Sequence, residues 1–226
     1  MKLQGIFAAL ATPFDYKGEI YKVKVQHNVE KWNRVGLAGY AVATRVGEGG
    51  LLTFEERVEM FKLVKQSAAP ERILLADVTR ESVKESLLLA ERAAEIGYQG
   101  VLCTTPFVGD RSPLPIIAEL PVMLDSAGDL WGVLKGGSAG AVLGFASAAP
   151  YAAIAVWEAF RTREEEAGLD WQARITHPSE LVADVAALKY AMDLNGYYGG
   201  LPRLPLPPVT KETKVALEEA FRDLKG

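Results

Sequence analysis

The 226-residue sequence has little cysteine and histidine: it contains one cysteine, Cys103, and two histidines, His27 and His177. A single thiol excludes a disulfide framework, and three such residues are too few for a zinc cluster of Cys and His ligands. We therefore predict no metal site, and we expect the reducing cytoplasm as the compartment. Cys103 stands in an apolar run, which predicts a small buried side chain rather than a nucleophile.

The sequence also lacks blocks of positive charge and long uninterrupted apolar runs. Its net charge is −4, and its lysines and arginines are not clustered as a nucleic-acid-binding surface requires. Pro150 divides the apolar segment 140–160 into pieces too short to cross ~30 Å of hydrocarbon. Gln4 and Pro13 interrupt segment 1–14, which is unlike a signal peptide. The glycine-rich runs lack dinucleotide or P-loop spacing. We predict no nucleic-acid partner, no membrane partner and no cofactor.

Hydrophobic residues make up 49% of the chain, which is enough for a buried core. They alternate between short apolar runs and amphipathic stretches, a pattern typical of parallel strands joined by helices. Thr53, followed by Glu56 three residues later, predicts a capping box, and Gly97 predicts a left-handed helix end. The first predicted strands are 5–12, 39–44, 72–78 and 100–104, and the helices between them are 21–35, 54–66 and 80–96.

This alternation breaks at residues 105–121, which contain no amphipathic helix, and then resumes. Further strands are predicted at 122–124 and 141–145, and helices at 130–135, 151–167, 178–194 and 210–224. The proline-rich segment 201–208 is predicted to be an extended surface strap. We predict an α/β fold: a shortened, TIM-barrel-like (β/α) barrel of five or six mostly parallel strands with extra C-terminal helices. Residues 1–150 would form the barrel, and residues 151–226 would form a helical region packed on it, within a single domain.

Three segments carry a resemblance to a known family: 5–14 (GIFAALATPF), 42–56 (VATRVGEGGLLTFEE) and 100–106 (GVLCTTP). In this order and spacing they resemble the dihydrodipicolinate synthase / N-acetylneuraminate lyase family. Residues 151–206 are similar to its C-terminal helices, with WEAFRTREEEAGLDW and KYAMDLNGYYGG as distinctive runs. The resemblance implies an eight-stranded (β/α) barrel and class I aldolase chemistry, in which a strand lysine forms a Schiff base with pyruvate.

Two blocks of the family pattern are absent from this sequence. One falls between Phe107 and Val108, and the other falls near Ile117–Ala118. Together they correspond to roughly two βα units of ~30 residues each. The resemblance places both the catalytic tyrosine and the Schiff-base lysine of the family in the second block. It therefore implies that this chain lacks both.

No other lysine is a good substitute, because a Schiff-base lysine must lose its proton in a buried or cationic pocket. Nearly all of the thirteen lysines stand in charged, amphipathic or terminal segments. Lys189 is the exception, since it stands among Ala187, Leu188 and Tyr190. The resemblance places it on a C-terminal helix outside the pocket.

The loop after the second strand has changed as well. The family's Gly-Thr-Thr-Gly-Glu corresponds here to Thr44-Arg45-Val46-Gly47-Glu48, so that two threonines that would hold the pyruvate carboxylate are replaced. Arg45 could clamp a carboxylate by a bidentate contact, or it could be a surface arginine paired with an acidic neighbour. After the fourth strand Thr105 is kept, whereas Phe107 replaces a tyrosine of the proton relay. The candidate pocket residues are Thr44, Arg45, Gly47, Glu48 and Thr105, and no catalytic residue is assigned.

The sequence thus favours a member of this family without aldolase activity that keeps a pocket for a small carboxylate. Two alternatives stay open: a working lyase acting on pyruvate or a related 2-oxo acid, and an ordinary family enzyme whose missing segments are not part of this sequence. Removing βα units leaves a barrel that cannot close in the usual way, because strand number and shear are linked. We therefore expect a homo-oligomer, such as a dimer, with the opened side or the C-terminal helices in the interface.

Overall fold

A sheet of parallel strands forms the centre of the molecule. The computed structural model describes residues 3–103, 123–124 and 127–224. Neighbouring strands in the hydrogen-bonded order β4-β3-β2-β1-β6-β5 are all parallel. The predicted fold class is confirmed: the chain forms a shortened α/β barrel with six strands in the part that is described. The strands are β1 (Gly5–Ala9), β2 (Gly39–Val42), β3 (Ile73–Asp77), β4 (Gly100–Leu102), β5 (Met123–Leu124) and β6 (Gly140–Leu143).

Helices lie between the first four strands, between β5 and β6, and after β6. Those of the described residues are α1 (Lys22–Trp32), α2 (Phe54–Ser67), α3 (Val83–Ile96), α4 (Leu130–Lys135), α5 (Phe145–Ala148), α6 (Pro150–Thr162), α7 (Glu165–Leu181), α8 (Val185–Leu194) and α9 (Lys211–Ala220). The predicted capping box is confirmed, because the Thr53 side chain accepts from the Glu56 N–H and the Glu56 side chain accepts from the Thr53 N–H. Gly97 ends α3 at a φ of 97°, as predicted. None of the helices in the described ranges combines the length and the apolar character needed to cross a bilayer.

The two faces of the sheet are both buried, as expected for a parallel sheet. Side chains of one strand point alternately to either face, so Ile6 and Ala8 join the large core against the helices. Phe7 and Ala9 join a smaller cluster on the opposite face with Ala41 and Leu75. The inner face of the curved sheet is therefore apolar, which leaves polar chemistry to the ends of the strands.

The sheet order is linear, with β4 and β5 at its two ends. Within the described residues no hydrogen-bonded pairing joins β4 to β5. Val101, in β4, is 49% exposed. Cys103, which follows β4, is exposed, so the prediction of a buried cysteine is wrong. The apolar run 100–104 predicted burial because such runs are typical of inner strands, whereas β4 lies at the end of the sheet order.

Two of the predicted C-terminal helices have the wrong bounds. The predicted helix 151–167 is divided in two, because Arg163 adopts a left-handed φ of 63° and ends α6 before α7 begins. The predicted helix 178–194 begins too early: Pro178 lies inside α7, where it is buried. The next helix, α8, begins after Asp184, whose side chain accepts from the N–H groups of residues 186 and 187. Pro178 therefore lies within a helix here, although proline is found more often at the first position of one.

The C-terminal helical region contacts the first helix of the barrel. The ring of Trp32, on α1, stacks on Tyr197 with centroids 5.2 Å apart. Asn28 donates from Nδ2 to the Tyr198 carbonyl oxygen and accepts from its N–H, both at 2.8 Å. The last part of the chain thereby returns to the side of the sheet that α1 covers.

Candidate functional site

The loop after β2, residues 43–52, carries four of the five predicted pocket residues. It contains two short 3-10 turns, Arg45–Gly47 and Gly49–Leu51. Two residues of the loop are left-handed: Ala43, at φ 60°, precedes the first turn, and Glu48, at φ 62°, separates the two turns. Neither of these two residues is glycine, and left-handed backbone costs such residues about 1–2 kcal/mol each. The loop must therefore be held by its surroundings.

Close backbone approach explains the glycine at position 47. A Cβ there would lie 2.2 Å from the Leu10 carbonyl oxygen, so a larger residue would push β1 and this loop apart. The Thr12 hydroxyl donates to the Gly47 carbonyl oxygen at 2.6 Å. Gly47 therefore places the loop directly against the carboxyl end of β1, where ligands of α/β barrels bind.

Thr44 and Arg45 differ sharply in burial. The Thr44 side chain is buried, and its hydroxyl oxygen has no hydrogen-bond partner among the described residues. Arg45, next to it, is exposed. Thr105 lies outside the described residues, so its position relative to this loop is not part of the structure. The loop thus brings together one buried unpaired hydroxyl and one exposed guanidinium, both of which could donate to a carboxylate.

The Glu48 carboxylate contacts the C-terminal part of the chain. Glu48 is buried, and it forms an ion pair with Lys189 of α8, which is also fully buried. The other carboxylate oxygen accepts from the Arg203 N–H at 2.7 Å. Burial lowers the pKa of Lys189 below its usual value, and the charge of Glu48 opposes this shift. The sequence contains only one local signal of this pair, a lysine among apolar neighbours.

Arg203 joins the proline-rich strap 201–208 to the same place. Its guanidinium donates to both carboxylate oxygens of Glu56, at 2.6 and 2.9 Å, and to the Leu51 carbonyl oxygen at 3.2 Å. It also donates from Nε and Nη2 to the Gly18 carbonyl oxygen at 3.0 and 2.6 Å. Hydrogen bonding from Arg203 is the main reason that the pKa of Glu56 is lowered.

A second arginine supports the loop from α2. Arg57 is buried and donates from Nε and Nη2 to the Gly49 carbonyl oxygen at 3.1 and 2.7 Å. Its Nη1 donates to the Asp77 carbonyl oxygen at 3.1 Å, at the end of β3. Burial raises the pKa of the Asp77 carboxyl and lowers that of Arg57. These charges hold the backbone of the loop and are not directed to a ligand.

Among the described lysines, Lys189 alone is buried. Residues 104–122 contain no lysine and no tyrosine, and the two lysines outside the described residues stand near the chain ends, at positions 2 and 225. All eight tyrosines lie in the described part of the chain. The hydroxyls of the buried Tyr40 and Tyr98 bind Asn33 and the Phe61 carbonyl oxygen. Tyr16, in the loop after β1, is 92% exposed.

No group of three or more His, Cys, Asp and Glu side chains that could hold a metal ion occurs among the residues described. The chemical groups of the site are therefore one hydroxyl, one exposed guanidinium and the backbone of a strained loop. This set can bind an anion, and it contains no exposed amine that could attack a carbonyl carbon.

Residues 2–117, just over half of the chain, match the model of the dihydrodipicolinate synthetase family. An N-acetylneuraminate lyase from Rhizobium meliloti is 31% identical over 125 residues, which are 55% of this chain and 42% of that protein. A 4-hydroxy-tetrahydrodipicolinate synthase from Leuconostoc mesenteroides is 27% identical over 123 residues, 54% of this chain and 43% of that protein. The match thus spans less than half of the length of these curated relatives.

Solved structures with the same fold are similar over nearly the whole chain. A dihydrodipicolinate synthase from Bacillus anthracis has a TM-score of 0.90 at 18% identity, covering 100% of both chains. An N-acetylneuraminate lyase from Proteus mirabilis has a TM-score of 0.87 at 18% identity, covering 98% of both chains. At this level of identity the similarity establishes the fold alone.

Proposed function

Since the chain belongs to the dihydrodipicolinate synthetase family, we propose that it is a member that binds a small carboxylate without forming a Schiff base. The proposal concerns the lysine and the tyrosine on which the aldolase chemistry of the family depends. In our interpretation of the sequence, both fall in the absent second block. The protein would then have no aldolase activity and would keep a pocket at the loop after β2.

The observation that carries the proposal is where the lysines lie and what their amines contact. A Schiff-base lysine must present a neutral amine to a carbonyl carbon. Lys189 is the one buried lysine of the described residues, and its amine is bound to the Glu48 carboxylate and to the Leu201 carbonyl oxygen, the latter at 3.0 Å. The segment 104–122, which the structure does not describe, has no lysine to offer. This supports the absence of an amine nucleophile in the pocket.

Reductive trapping tests the absence of Schiff-base chemistry. The protein is incubated with pyruvate and sodium borohydride, and its intact mass is compared with the 24.5 kDa of the unmodified chain. We expect no adduct under conditions that fully label a class I aldolase. A stoichiometric adduct on one lysine, located by peptide mapping, would establish the alternative of a working lyase on a 2-oxo acid. The same intact mass tests the second alternative, because segments missing from this sequence would make the protein heavier.

Carboxylate binding is tested by titrating the protein with pyruvate and following amide signals by NMR. We expect Arg45→Met to weaken binding about tenfold or more, since a charge-assisted hydrogen bond contributes ~1.5–3 kcal/mol. Arg34→Met is the matched control, because Arg34 is also exposed but precedes β2 and so lies at the opposite end of the strand. Equal affinities for the two variants, or no binding to the unmodified protein, would contradict the pocket.

A second copy of the chain is the partner that we propose. The outer side near β4 exposes apolar residues: Val83 and Leu87 of α3 are 62% and 61% exposed, Leu88 is 40% exposed, and Val101 is 49% exposed. Burying such surface contributes ~25 cal/mol per Å², which favours a dimer through the opened side of the sheet. We expect light scattering at micromolar concentration to give the mass of a dimer. A monomer at that concentration would contradict this part of the proposal.

A further inference from the structure

Four segments that are distant in sequence meet around Glu48. They are the loop after β1, which contributes Phe14, the loop after β2, helix α8 with Lys189, and the strap with Arg203. The Lys189 amine lies 4.6 Å from the centroid of the Phe14 ring, and the Arg203 guanidinium lies 4.2 Å from it. Two cations from the C-terminal region thus lie over one ring of the barrel, and one of them, Lys189, also pairs with the Glu48 carboxylate.

The Lys189 amine lies against three groups of the protein itself. The amine contacts the Glu48 carboxylate, the Leu201 carbonyl oxygen at 3.0 Å and the face of Phe14. The Lys189 side chain is fully buried, so its amine is not accessible to a ligand in solution. Lys189 therefore does not touch a substrate, and any effect that it has on the site must act through the residues it contacts.

Through Glu48, Lys189 contacts the strained loop after β2, which must be held by its surroundings. Glu48 is itself one of the two left-handed residues of the loop, and the Glu48 carbonyl oxygen accepts from the Leu51 N–H at 2.9 Å. The Gly47 and Gly49 N–H groups, which flank Glu48 in the chain, donate to the Thr44 carbonyl oxygen at 3.0 and 2.9 Å. The position of the buried Thr44 hydroxyl thus depends on the conformation that Glu48 keeps.

We propose that Lys189 is a positioning residue, which fixes the carboxylate of Glu48 and thereby holds the Thr44–Gly50 loop in the shape that the ligand pocket requires. The inference rests on the proposed function in one respect only, namely that this loop is the place where a small carboxylate binds. It assigns to the C-terminal helices a role in shaping the pocket, in addition to covering the barrel.

Hydrogen exchange of the loop tests the proposal without any ligand. In Lys189→Met we expect the amides of residues 47, 48, 49, 51 and 52 to exchange at least about tenfold faster, while the α2 amides change little. Lys31→Met is the matched control, because the Lys31 amine also bonds the C-terminal region, at the Gly196 carbonyl oxygen, without contacting this loop. Unchanged exchange in the loop of a folded Lys189→Met protein would overturn the proposal.

A second variant separates positioning from simple stability. Lys189→Met leaves the Glu48 carboxylate buried and uncompensated, whereas Lys189→Met combined with Glu48→Gln removes both charges. We expect the double variant to regain most of the global resistance to urea while its loop amides stay fast. If the double variant shows the loop exchange of the unmodified protein, the pair does not position the loop.

Pyruvate affinity then tests whether the loop is part of the pocket. We expect the double variant to bind pyruvate at least about tenfold more weakly than Lys31→Met does. If the unmodified protein binds no pyruvate, the proposed function fails, and the exchange data still decide whether Lys189 positions the loop. If pyruvate binds the double variant as tightly as Lys31→Met while the loop exchanges fast, the loop is not part of the pocket, and the proposal is wrong.

Discussion

Replacement of Arg203 by methionine measures how strongly the strap is tied to the barrel. The variant keeps a side chain of similar length and removes the hydrogen bonds to Glu56, Leu51 and Gly18. Hydrogen bonds to charged groups contribute ~1.5–3 kcal/mol, and the contact with the Phe14 ring adds ~0.5–1 kcal/mol. Because the Arg203 side chain is 17% exposed and that of Glu56 is 24% exposed, water compensates part of this loss. We expect a decrease of ~2–3 kcal/mol in the free energy of unfolding.

Urea unfolding followed by tryptophan fluorescence is the assay, with Arg174→Met as the control. Arg174 also has one carboxylate partner, Asp170, and lies 5.0 Å from the centroid of the Trp171 ring, but its side chain is 53% exposed. An exposed pair of this kind contributes ~0–1 kcal/mol. Equal losses in the two variants would refute the reasoning, because they would show that burial of the Arg203 contacts has no effect.

The free energy of unfolding measured at acidic pH provides an internal check on the same variant. The pKa of Glu56 is lowered in the folded protein, mainly by its hydrogen bond from Arg203. The stabilisation is therefore fully present above the unfolded pKa of Glu56, and it is lost as the pH falls through the folded pKa. The difference in stability between the unmodified protein and Arg203→Met should thus shrink below pH ~4. A difference that stays constant to low pH would mean that Glu56 is not the partner that matters.

Three further predictions concern the fold. Burial raises the pKa of Tyr40, Tyr98 and Tyr197. These phenols stay protonated in the folded protein while those of the unfolded chain ionise above pH ~10, so the free energy of unfolding should fall as the pH rises from that point. Absorbance at alkaline pH should show the late ionisation of the three side chains. Thr53→Ala breaks the capping box and should cost ~1 kcal/mol in thermal unfolding, whereas Thr53→Ser should cost much less. Gly39→Ala places a Cβ 1.8 Å from the Ile73 carbonyl oxygen, so circular dichroism and solubility should show loss of the β2–β3 pairing. Unchanged titration, stability or solubility would contradict the respective prediction.

Local sequence signals predicted the first half of the fold well. The capping box at Thr53, the glycine at position 97 and the alternation of apolar runs all depend on contacts within a few residues, and the structure contains each of them. The C-terminal helices were predicted less well, because their ends depend on tertiary contacts. A left-handed arginine at position 163 and a buried Pro178 inside a helix have no reliable local signal.

The candidate site could be predicted only in part. The resemblance pointed to the loop after β2, where Thr44 and Arg45 now offer a hydroxyl and a guanidinium. The partner of Glu48 could not be deduced from spacing, because Lys189 lies 141 positions later and only the fold brings the two side chains together. A lysine among apolar residues predicts that a counter-charge is nearby, but not which carboxylate supplies it.

The place of β1 in the middle of the sheet has a consequence for biosynthesis. One neighbour of β1 is β2, which follows soon after it along the chain. The other is β6, which comes much later and in which Gly140 lies opposite Gly5. A ribosome that makes about 5–20 residues per second needs ~2–8 s to go from the end of β4 to the end of β6. During that interval the nascent chain can assemble β1 to β4, while the far side of its first strand has no neighbour to bond. Chaperones that shield unpaired strands would therefore have their main opportunity in the middle of translation.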